Sequence, residues 1–386
     1  MIYLLLLALA AVGHVVFWTA IVNRLHGLGI ERRWVDAGTI ASAAAMAGLP
    51  LAVALGFWLQ AQHRLQLAAA ALWVYVGCCA AFCVFALLHR LWLMLHPERR
   101  GTLVSNHTTP VDMRKHGRRR LMAPGIPALL ARIPGNQALD LQVHEKRLAL
   151  PRMPAGPELR VIHITDLHMS GRIAKEYFVE MVAAVNALRP DLILLTGDLV
   201  ERAKCMDWLP DTLGSLRAAA GVFFVLGNHD LRVDCDQLLN HLAELGLIHL
   251  GGTWRELTVR GTPLVLAGNE LPWFGPPPNA ANLPARDASG LPLRVLLAHA
   301  PDQFTWACRH DFDLMLAGHN HGGQVRLPLL GPILSPSLSG TRYASGAFCR
   351  GNSVLHVGRG TGSLTPFRWN CPPEIALLVL GRGSSK

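Results

Sequence analysis

Residues 161–168 read VIHITDLH, and residues 191–198 read DLILLTGD. The segment 221–230, GVFFVLGNHD, has the same form: a short apolar run that ends in polar, potentially metal-binding side chains. Short continuous apolar runs bounded by turn signals are typical of fully buried strands. These stretches therefore predict the central strands of an α/β sheet.

Two later stretches repeat the arrangement, RVLLAH at 294–299 and FDLMLAGHNH at 312–321. The carboxyl ends of strands in α/β sheets converge on the ligand crevice, so five strand ends should bring their polar residues together. These residues are Asp166, His168, Asp198, Asn228, His229, Asp230, His299, His319 and His321.

The donor types at these strand ends indicate a divalent metal site. Carboxylate oxygen and imidazole nitrogen suit Mn, Fe and Zn, and do not select among them. The eight cysteines form no CxxC pair and contribute nothing at the strand ends, which argues against a structural zinc site or a disulfide framework. A carboxylate such as Asp198 can bridge two ions, which together clamp a phosphoryl group and activate water. Neutral Asn228 would ligate without repelling a phosphate.

The remainder of 158–386 alternates between predicted strands and helices. Helical patterns span 173–188 and 207–217, and further strand-like runs lie at 264–268, 354–358 and 375–380. Strands that first alternate with helices and then follow one another predict an α/β core extended by antiparallel strands.

The N-terminal quarter is strongly apolar. The whole chain is 51% hydrophobic and 16% charged, with a mean hydropathy of +0.29. Segments 2–22, 37–59 and 65–88 contain no Asp, Glu, Lys or Arg, and each could cross about 30 Å of hydrocarbon as a helix. Buried core helices would show a polar face, and a signal peptide would begin with basic residues. We therefore predict an all-α transmembrane region over 1–96.

The net charge of +10 is concentrated after the third apolar segment. This basic belt comprises Arg90, Arg99, Arg100, Arg114, Lys115, Arg118, Arg119 and Arg120. The positive-inside rule then predicts a multi-pass inner-membrane protein whose C-terminal domain is cytoplasmic. A juxtamembrane belt explains the charge, so we expect no nucleic-acid partner.

We interpret 97–157 as a basic linker and 158–386 as the metal-binding domain. A chain that starts near Pro151 should fold by itself.

The ordered motifs resemble the calcineurin-like metallophosphoesterase superfamily. The segments 318–328, GHNHGGQVRLP, and 358–380 resemble its bacterial branch with N-terminal membrane helices. The resemblance covers 159 to about 380. It implies a four-layer α/β/β/α sandwich that hydrolyses a phosphoric ester or pyrophosphate bond.

The resemblance also implies roles for the motif residues. Asp166, His168 and His321 would hold one divalent ion (Mn, Fe or Zn), and Asn228, His299 and His319 a second. Asp198 would bridge the two ions. His229 would protonate the leaving oxygen rather than bind metal, with Asp230 orienting it. Asn320 departs from the family pattern, which usually has Thr between the two histidines.

Several alternatives stay open at this stage. The substrate could be lipid-linked, since the superfamily includes UDP-2,3-diacylglucosamine pyrophosphohydrolases, or a phosphoprotein or nucleotide. A non-catalytic scaffold or receptor with the same fold is the competing class. A transporter is disfavoured because the helices lack charged residues that would line a pathway.

Substrate-binding residues are unknown. Arg326, Arg342 and Arg368 could meet phosphate or be structural, and the loop 269–278 could shape the pocket or lie on the surface.

Overall fold

The computed structural model describes residues 1–62, 68–95, 102–113, 117, 120–328 and 330–382. The chain divides into two compact units. The helical unit comprises 1–97 and 336–342, and the α/β unit comprises 98–335 and 343–386.

The helical unit contains three long helices: α1 (Ile2–His26), α2 (Arg32–Ala61) and α3 (Ala68–Leu95). Each is long and apolar enough to span a membrane. The predicted segments 2–22 and 37–59 lie within α1 and α2. The predicted third segment overlaps α3, although its first residues, 65–67, lie outside the described part of the chain.

Small and polar side chains join these helices. A Cβ on Gly13 of α1 would lie 1.8 Å from the carbonyl oxygen of Cys79 on α3, so only glycine permits this close approach. Buried His14 lies 2.5 Å from the Tyr75 hydroxyl through Nδ1 and 2.9 Å from the Met46 carbonyl oxygen through Nε2. One histidine thus satisfies its polar atoms on two neighbouring helices.

The larger sheet of the α/β unit has seven strands. They are β1 (Leu103–Pro110), β2 (Gln142–Leu150), β3 (Leu159–Ile164), β4 (Leu192–Thr196), β5 (Val222–Val225), β6 (Ile248–His249) and β15 (Glu374–Arg382), in the order β1-β2-β15-β3-β4-β5-β6. Strands β3 to β6 run parallel, and β15 pairs antiparallel with β3. The parallel part carries the first three predicted strand ends.

The second sheet has six strands. They are β7 (Trp254–Val259), β8 (Thr262–Asn269), β9 (Leu293–Ala298), β10 (Leu314–Ala317), β13 (Gly346–Arg350) and β14 (Ser353–Val357), in the order β13-β14-β10-β9-β8-β7. β8, β9, β10 and β14 are parallel, and β7 and β13 are antiparallel edges. A hairpin of β11 (Arg326–Leu327) and β12 (Gly331–Pro332) follows the last histidine motif.

Three apolar cores hold the layers together. One fills the space between the sheets, where Leu194 and Leu378 pack with Leu297 and Leu316. Another lies between the seven-stranded sheet and helices α5 (Lys175–Ala187) and α6 (Cys235–Glu244). The third lies between the six-stranded sheet and α7 (Phe304–Arg309). The predicted four-layer α/β/β/α sandwich is therefore confirmed.

The segment 97–157 differs from the predicted linker. It contains β1, the short helix α4 (Ile126–Leu130) and β2, and β2 pairs along its full length with β15. Its alternate residues are buried, including Leu148 and Leu150, so β2 belongs to the core. The charged residues within β2, Glu145, Lys146 and Arg147, obscured this alternation. Of the basic belt, Arg90 and Arg120 are described, whereas Arg99, Arg100, Arg114, Lys115, Arg118 and Arg119 lie outside the described residues.

The helix predicted over 207–217 also differs. The structure has two short 3-10 turns there, Ala203–Trp208 and Leu213–Ser215. Pro210 lacks the N–H that a helix would need, and Gly214 has a low helix propensity. The burial of Leu209 and Leu213 in the core therefore determines the backbone conformation here, rather than a continuous helix.

Candidate metal centre

The predicted site residues follow strands of both sheets. Asp166 and His168 follow β3, Asp198 follows β4, and Asn228 to Asp230 follow β5. His299 follows β9, and His319 and His321 follow β10. Five of these residues have a positive φ: Asp166, His168, Asp198, His319 and His321. Non-glycine residues seldom adopt this conformation because it is strained. Its occurrence at five neighbouring site residues indicates that the surrounding fold holds this backbone in a conformation needed for function.

Two glycines allow the strand ends to approach each other. A Cβ on Gly227 would lie 2.3 Å from Asp198 Oδ1. A Cβ on Gly318 would lie 1.8 Å from Thr165 Oγ1 and 2.5 Å from Asp166 Oδ2. The glycines of the GNHD and GHNH motifs therefore make room for the carboxylates.

One group of candidate ligands joins the two sheets. Asp166, His168 and His321 present ligand atoms within 4.8 Å of one another. His321 Nε2 lies 2.9 Å from His168 Nε2 and 3.4 Å from Asp166 Oδ1. Asp166 and His168 are fully buried at the side chain, so the donors converge from a rigid interior.

A second group shares the same space. Asp198, His299 and His319 also present ligand atoms within 4.8 Å of one another. His299 Nε2 lies 3.3 Å from Asp198 Oδ2 and 3.2 Å from His319 Nδ1. His299 Nδ1 contacts the Thr196 carbonyl oxygen at 2.7 Å, an interaction that fixes the ring orientation. Asp198 Oδ2 is also 3.6 Å from His168 Nε2, so this carboxylate stands between the two groups.

Asn228 immediately precedes His229, whose backbone N–H donates to Asp198 Oδ1 at 2.8 Å, and its side chain has the character of a metal ligand. Its Oδ1 is buried and has no hydrogen-bond partner among the described residues. An orphaned buried acceptor is costly, and a coordinated cation would satisfy it. The carboxylate and imidazole donors, with this amide oxygen, match the preferences of Mn, Fe and Zn.

His229 lies next to these ligands, and its partner is a residue that the sequence interpretation missed. His229 Nδ1 lies 2.7 Å from Glu201 Oε1, and the same oxygen is 2.6 Å from His168 Nδ1. Arg232 Nη1 donates to Glu201 Oε2 at 3.1 Å. A group of possible metal donors also includes His229 with His168 and Asp198, so its assignment as a non-ligand stays a prediction.

Asp230 occupies a different place from the one implied by the resemblance. Its two carboxylate oxygens accept backbone N–H groups of Asp198, Leu199, Val200 and Gly227 at 2.8–2.9 Å. The carboxylate is directed at the backbone after β4 and β5 because four unpaired donors converge there. Asp230 therefore holds the Asp198 loop in place, and Glu201 contacts His229.

Burial and the dense charge shift several pKa values. Burial and the nearby Asp198 carboxylate raise the pKa of Asp230 to about 7. Burial alone would lower the pKa of His299, but Asp198 outweighs it and raises that pKa to about 9. Burial would likewise raise the pKa of Glu201, but His168 and His229 hold it well below its usual value. Such strongly perturbed groups are typical of functional sites.

Two of the three arginines considered as phosphate contacts donate hydrogen bonds within the chain. Arg368 is fully buried and donates to carbonyl oxygens of Arg359 at 2.8 Å and Gly362 at 2.7 Å. Arg326 donates to the Gly322 carbonyl oxygen and the Ser345 hydroxyl. Both side chains shape the backbone around the last histidine motif. Arg342 belongs to the stretch 336–342 of the helical unit.

The loop 269–278 contributes a side chain to the centre. The ring of Trp273 lies 4.9 Å from the His319 ring and 5.6 Å from the His299 ring, between centroids. The loop therefore shapes the pocket, one of the two alternatives left open by the sequence.

Known proteins share these features. The calcineurin-like phosphoesterase family model matches residues 159–323. Phosphodiesterase YaeI of Escherichia coli is 35% identical over 245 residues, 61% of this chain and 86% of that protein. The uncharacterized metallophosphoesterase YkuE of Bacillus subtilis is 28% identical over 234 residues, an alignment that covers 57% of this chain and 78% of YkuE. UDP-2,3-diacylglucosamine pyrophosphatase LpxG of Chlamydia trachomatis is 25% identical over 272 residues, an alignment that covers 57% of this chain and 83% of LpxG.

The sandwich, the clustered Asp and His donors and these relatives define a metal-dependent phosphoric ester hydrolase. The chain belongs to the calcineurin-like phosphoesterase family.

Proposed function

We propose that this protein is a membrane-anchored phosphoesterase that uses two divalent ions to hydrolyse a phosphoric ester or pyrophosphate bond. The observation that supports this most directly is the position of Asp198 between two groups of ligands. A carboxylate with one group on either side is suited to bridging two ions.

The residues divide by position. Asp166, His168 and His321 would hold one ion, and Asn228, His299 and His319 the other, with Asp198 shared. Bound ions, whether Mn, Fe or Zn, would activate water and neutralise phosphoryl charge.

Proton transfer would rest on His229. This half-buried ring stands beside the ligands and leaves 14% of its side chain exposed, so a substrate oxygen can reach it. Glu201 would hold the ring in one orientation through Nδ1, which leaves Nε2 to protonate the leaving oxygen. Asp230 would keep the Asp198 loop in place.

The membrane helices favour a substrate at the lipid surface. LpxG, one of the relatives, is named for a diacylglucosamine-containing pyrophosphate. An anchor confines enzyme and lipid to one surface and raises their effective concentration. We therefore propose a lipid-linked phosphoryl compound as the substrate, in the inner membrane with the α/β unit in the cytoplasm.

The test is a substrate and metal screen on the full chain in detergent and in vesicles. We expect hydrolysis of p-nitrophenyl phosphate or bis(p-nitrophenyl) phosphate when Mn is supplied, and its loss with a chelator. Faster turnover of a lipid-linked pyrophosphate in vesicles than of the same compound in detergent would support the lipid proposal. Metal binding without hydrolysis of any ester would favour the non-catalytic scaffold.

A further inference from the structure

Trp273 lies against His299 and His319, two candidate ligands of the second group. Its ring is tilted by 56° against His319 and by 62° against His299. The side chain is half-buried, so part of the indole is open to a ligand. An aromatic ring against two candidate ligands gives a wall with an apolar face in a centre otherwise built from charged and polar donors.

The loop that carries Trp273 is anchored at its base. Buried Glu270 accepts the Leu226 backbone N–H at 2.6 Å and contacts His249 Nε2 at 2.7 Å. The backbone N–H groups of Trp273 and Phe274 donate to the Glu270 carbonyl oxygen at 3.2 Å. These contacts tie the loop to the strand end that leads into the GNHD motif. The backbone that carries the indole is therefore fixed beside His299 and His319.

A second set of contacts fixes the start of the loop. Asn269 is fully buried, and its Oδ1 accepts the Leu271 backbone N–H at 3.0 Å. Gln303 donates to the Leu271 carbonyl oxygen at 3.2 Å. A side chain on a fixed loop loses little entropy when a ligand packs against it.

Trp273 and the candidate proton donor contact different candidate ligands. The His229 ring lies 4.8 Å from the His168 ring, whereas the indole is beside His299 and His319. A phosphoryl group bound between them would direct its leaving oxygen toward His229. The attacking water would lie opposite that oxygen, and a group that stays on the phosphoryl would project to the side, where we place it against the indole.

We infer that Trp273 is a specificity-determining residue that binds a flat aromatic group attached to the retained phosphoryl. This inference rests on the proposed phosphoesterase activity and narrows its substrate to esters whose retained phosphoryl carries an aromatic group; it does not depend on the substrate being lipid-linked. Aromatic groups stack on a tryptophan face in offset or tilted geometry, a contact that a small alkyl group cannot match. Inorganic pyrophosphate and simple alkyl phosphates would use the metals alone.

The test compares two phosphonates that the enzyme cannot cleave, by calorimetry on the Mn-loaded full chain in detergent. Wild type should bind phenylphosphonate about 10-fold more tightly than methylphosphonate. Trp273→Ala and Trp273→Leu should reduce the ratio to about 2 or less with Mn content unchanged, and Trp273→Phe should keep most of it. Trp306→Ala is the matched control, because Trp306 packs on His310 and Phe312, and the ratio should not change.

Three results would overturn the inference: no preference in wild type, an unchanged preference in Trp273→Leu, or loss of Mn from Trp273→Leu while Trp273→Phe keeps it. The last would mean that the ring only shields the metal ligands. Hydrolysis of p-nitrophenyl phosphate is measured in parallel. A protein that prefers phenylphosphonate through Trp273 but cleaves no ester would refute the proposed function and leave the binding inference standing.

Discussion

Glu201 connects two histidines that follow different strands. Its Oε1 is 2.6 Å from His168 Nδ1 and 2.7 Å from His229 Nδ1, and only 3% of its side chain is exposed. One carboxylate thus hydrogen-bonds a candidate ligand, His168, and lies in contact with the candidate acid, His229. Carboxylates that hold histidines in this way fix the tautomer and the ring direction.

Variants of His229 and Glu201 should separate catalysis from metal binding. His229→Ala should keep its metals and lower kcat by about 10²–10⁴, the usual effect of losing a general acid. Glu201→Gln should also lower kcat, with at most partial metal loss, because the amide holds both rings less well. Elemental analysis and steady-state kinetics on the same preparations give both quantities. A fall in metal content in His229→Ala would make this residue a ligand and contradict the division of roles.

Residue identities at the strand ends could be predicted from sequence because a buried run followed by Asp, His or Asn is a local signal. Asp166, His168, Asp198, His299, His319 and His321 do converge as that signal suggested. The partners of His229 could not be predicted. Glu201 follows Asp198 by three residues, and only the turn after β4 directs its side chain toward His229 rather than outward.

The sequence interpretation missed β2, whereas its partner β15 contains the strand that was predicted at 375–380. They pair in parallel over nine residues, between an N-terminal segment and the last strand of the chain. Such a non-local pairing leaves no trace in a short sequence window, whereas the strands from β3 to β5 and their helix α5 follow from local periodicity. The alternating burial of β2 was hidden by its charged residues, of which Lys146 is itself buried.

Truncation tests the role of β2. A chain that begins at Pro151 lacks β1 and β2, exposes the edge of β15 and uncovers part of the core between the sheets, so it should aggregate. A chain that begins at Glu98, where the α/β unit starts, keeps both strands and should give more soluble, monomeric protein. Soluble yield and gel filtration compare the two. Equal monomeric yield from both would show that β2 is dispensable, as the linker interpretation required.

A buried ion pair between β2 and β15 should make the α/β unit sensitive to acid. Glu374 pairs with Lys146, and Lys146 Nζ also lies 3.0 Å from His356 Nε2. Burial alone would raise the pKa of Glu374, but Lys146 and Arg359 hold it well below its ordinary 4.5. A carboxyl whose folded pKa is depressed stabilises the fold above its unfolded pKa. That contribution is lost as pH falls below about 4.5.

Glu374→Gln should therefore lower the free energy of unfolding at pH 7 by about 3–5 kcal/mol, because Lys146 loses its buried partner. Between pH 6 and pH 4 the variant should lose less additional stability than wild type. Chemical denaturation at several pH values measures both effects. If the free energy of unfolding fell equally with pH in the two proteins, Glu374 would not contribute to the loss of stability in acid.

At the scale of the whole molecule, the orientation in the membrane follows from charge. The ends of α1 and α2 on either side of their short loop carry Arg24, Arg32 and Arg33, and the chain after α3 is rich in arginine. The short loop after α2 carries only Arg64, which lies outside the described residues. The positive-inside rule predicts that the first loop and the α/β unit are cytoplasmic.

Reporter fusions test this orientation. A cytoplasmic fluorescent reporter fused after Lys386 should be active, and a periplasmic phosphatase reporter there should be silent. Fusions after Gln62, in the short loop between α2 and α3, should give the opposite pattern and serve as the control. An active phosphatase reporter at Lys386 would place the α/β unit outside.

The central claim is that two ions share Asp198, and metal content tests it most directly. Elemental analysis should find two divalent ions per chain in wild type, and Asp198→Asn should lose metal and hydrolysis of bis(p-nitrophenyl) phosphate together. Asp211→Asn, at a side chain that is 66% exposed, is the matched control and should behave as wild type. Two ions retained by Asp198→Asn would contradict the account.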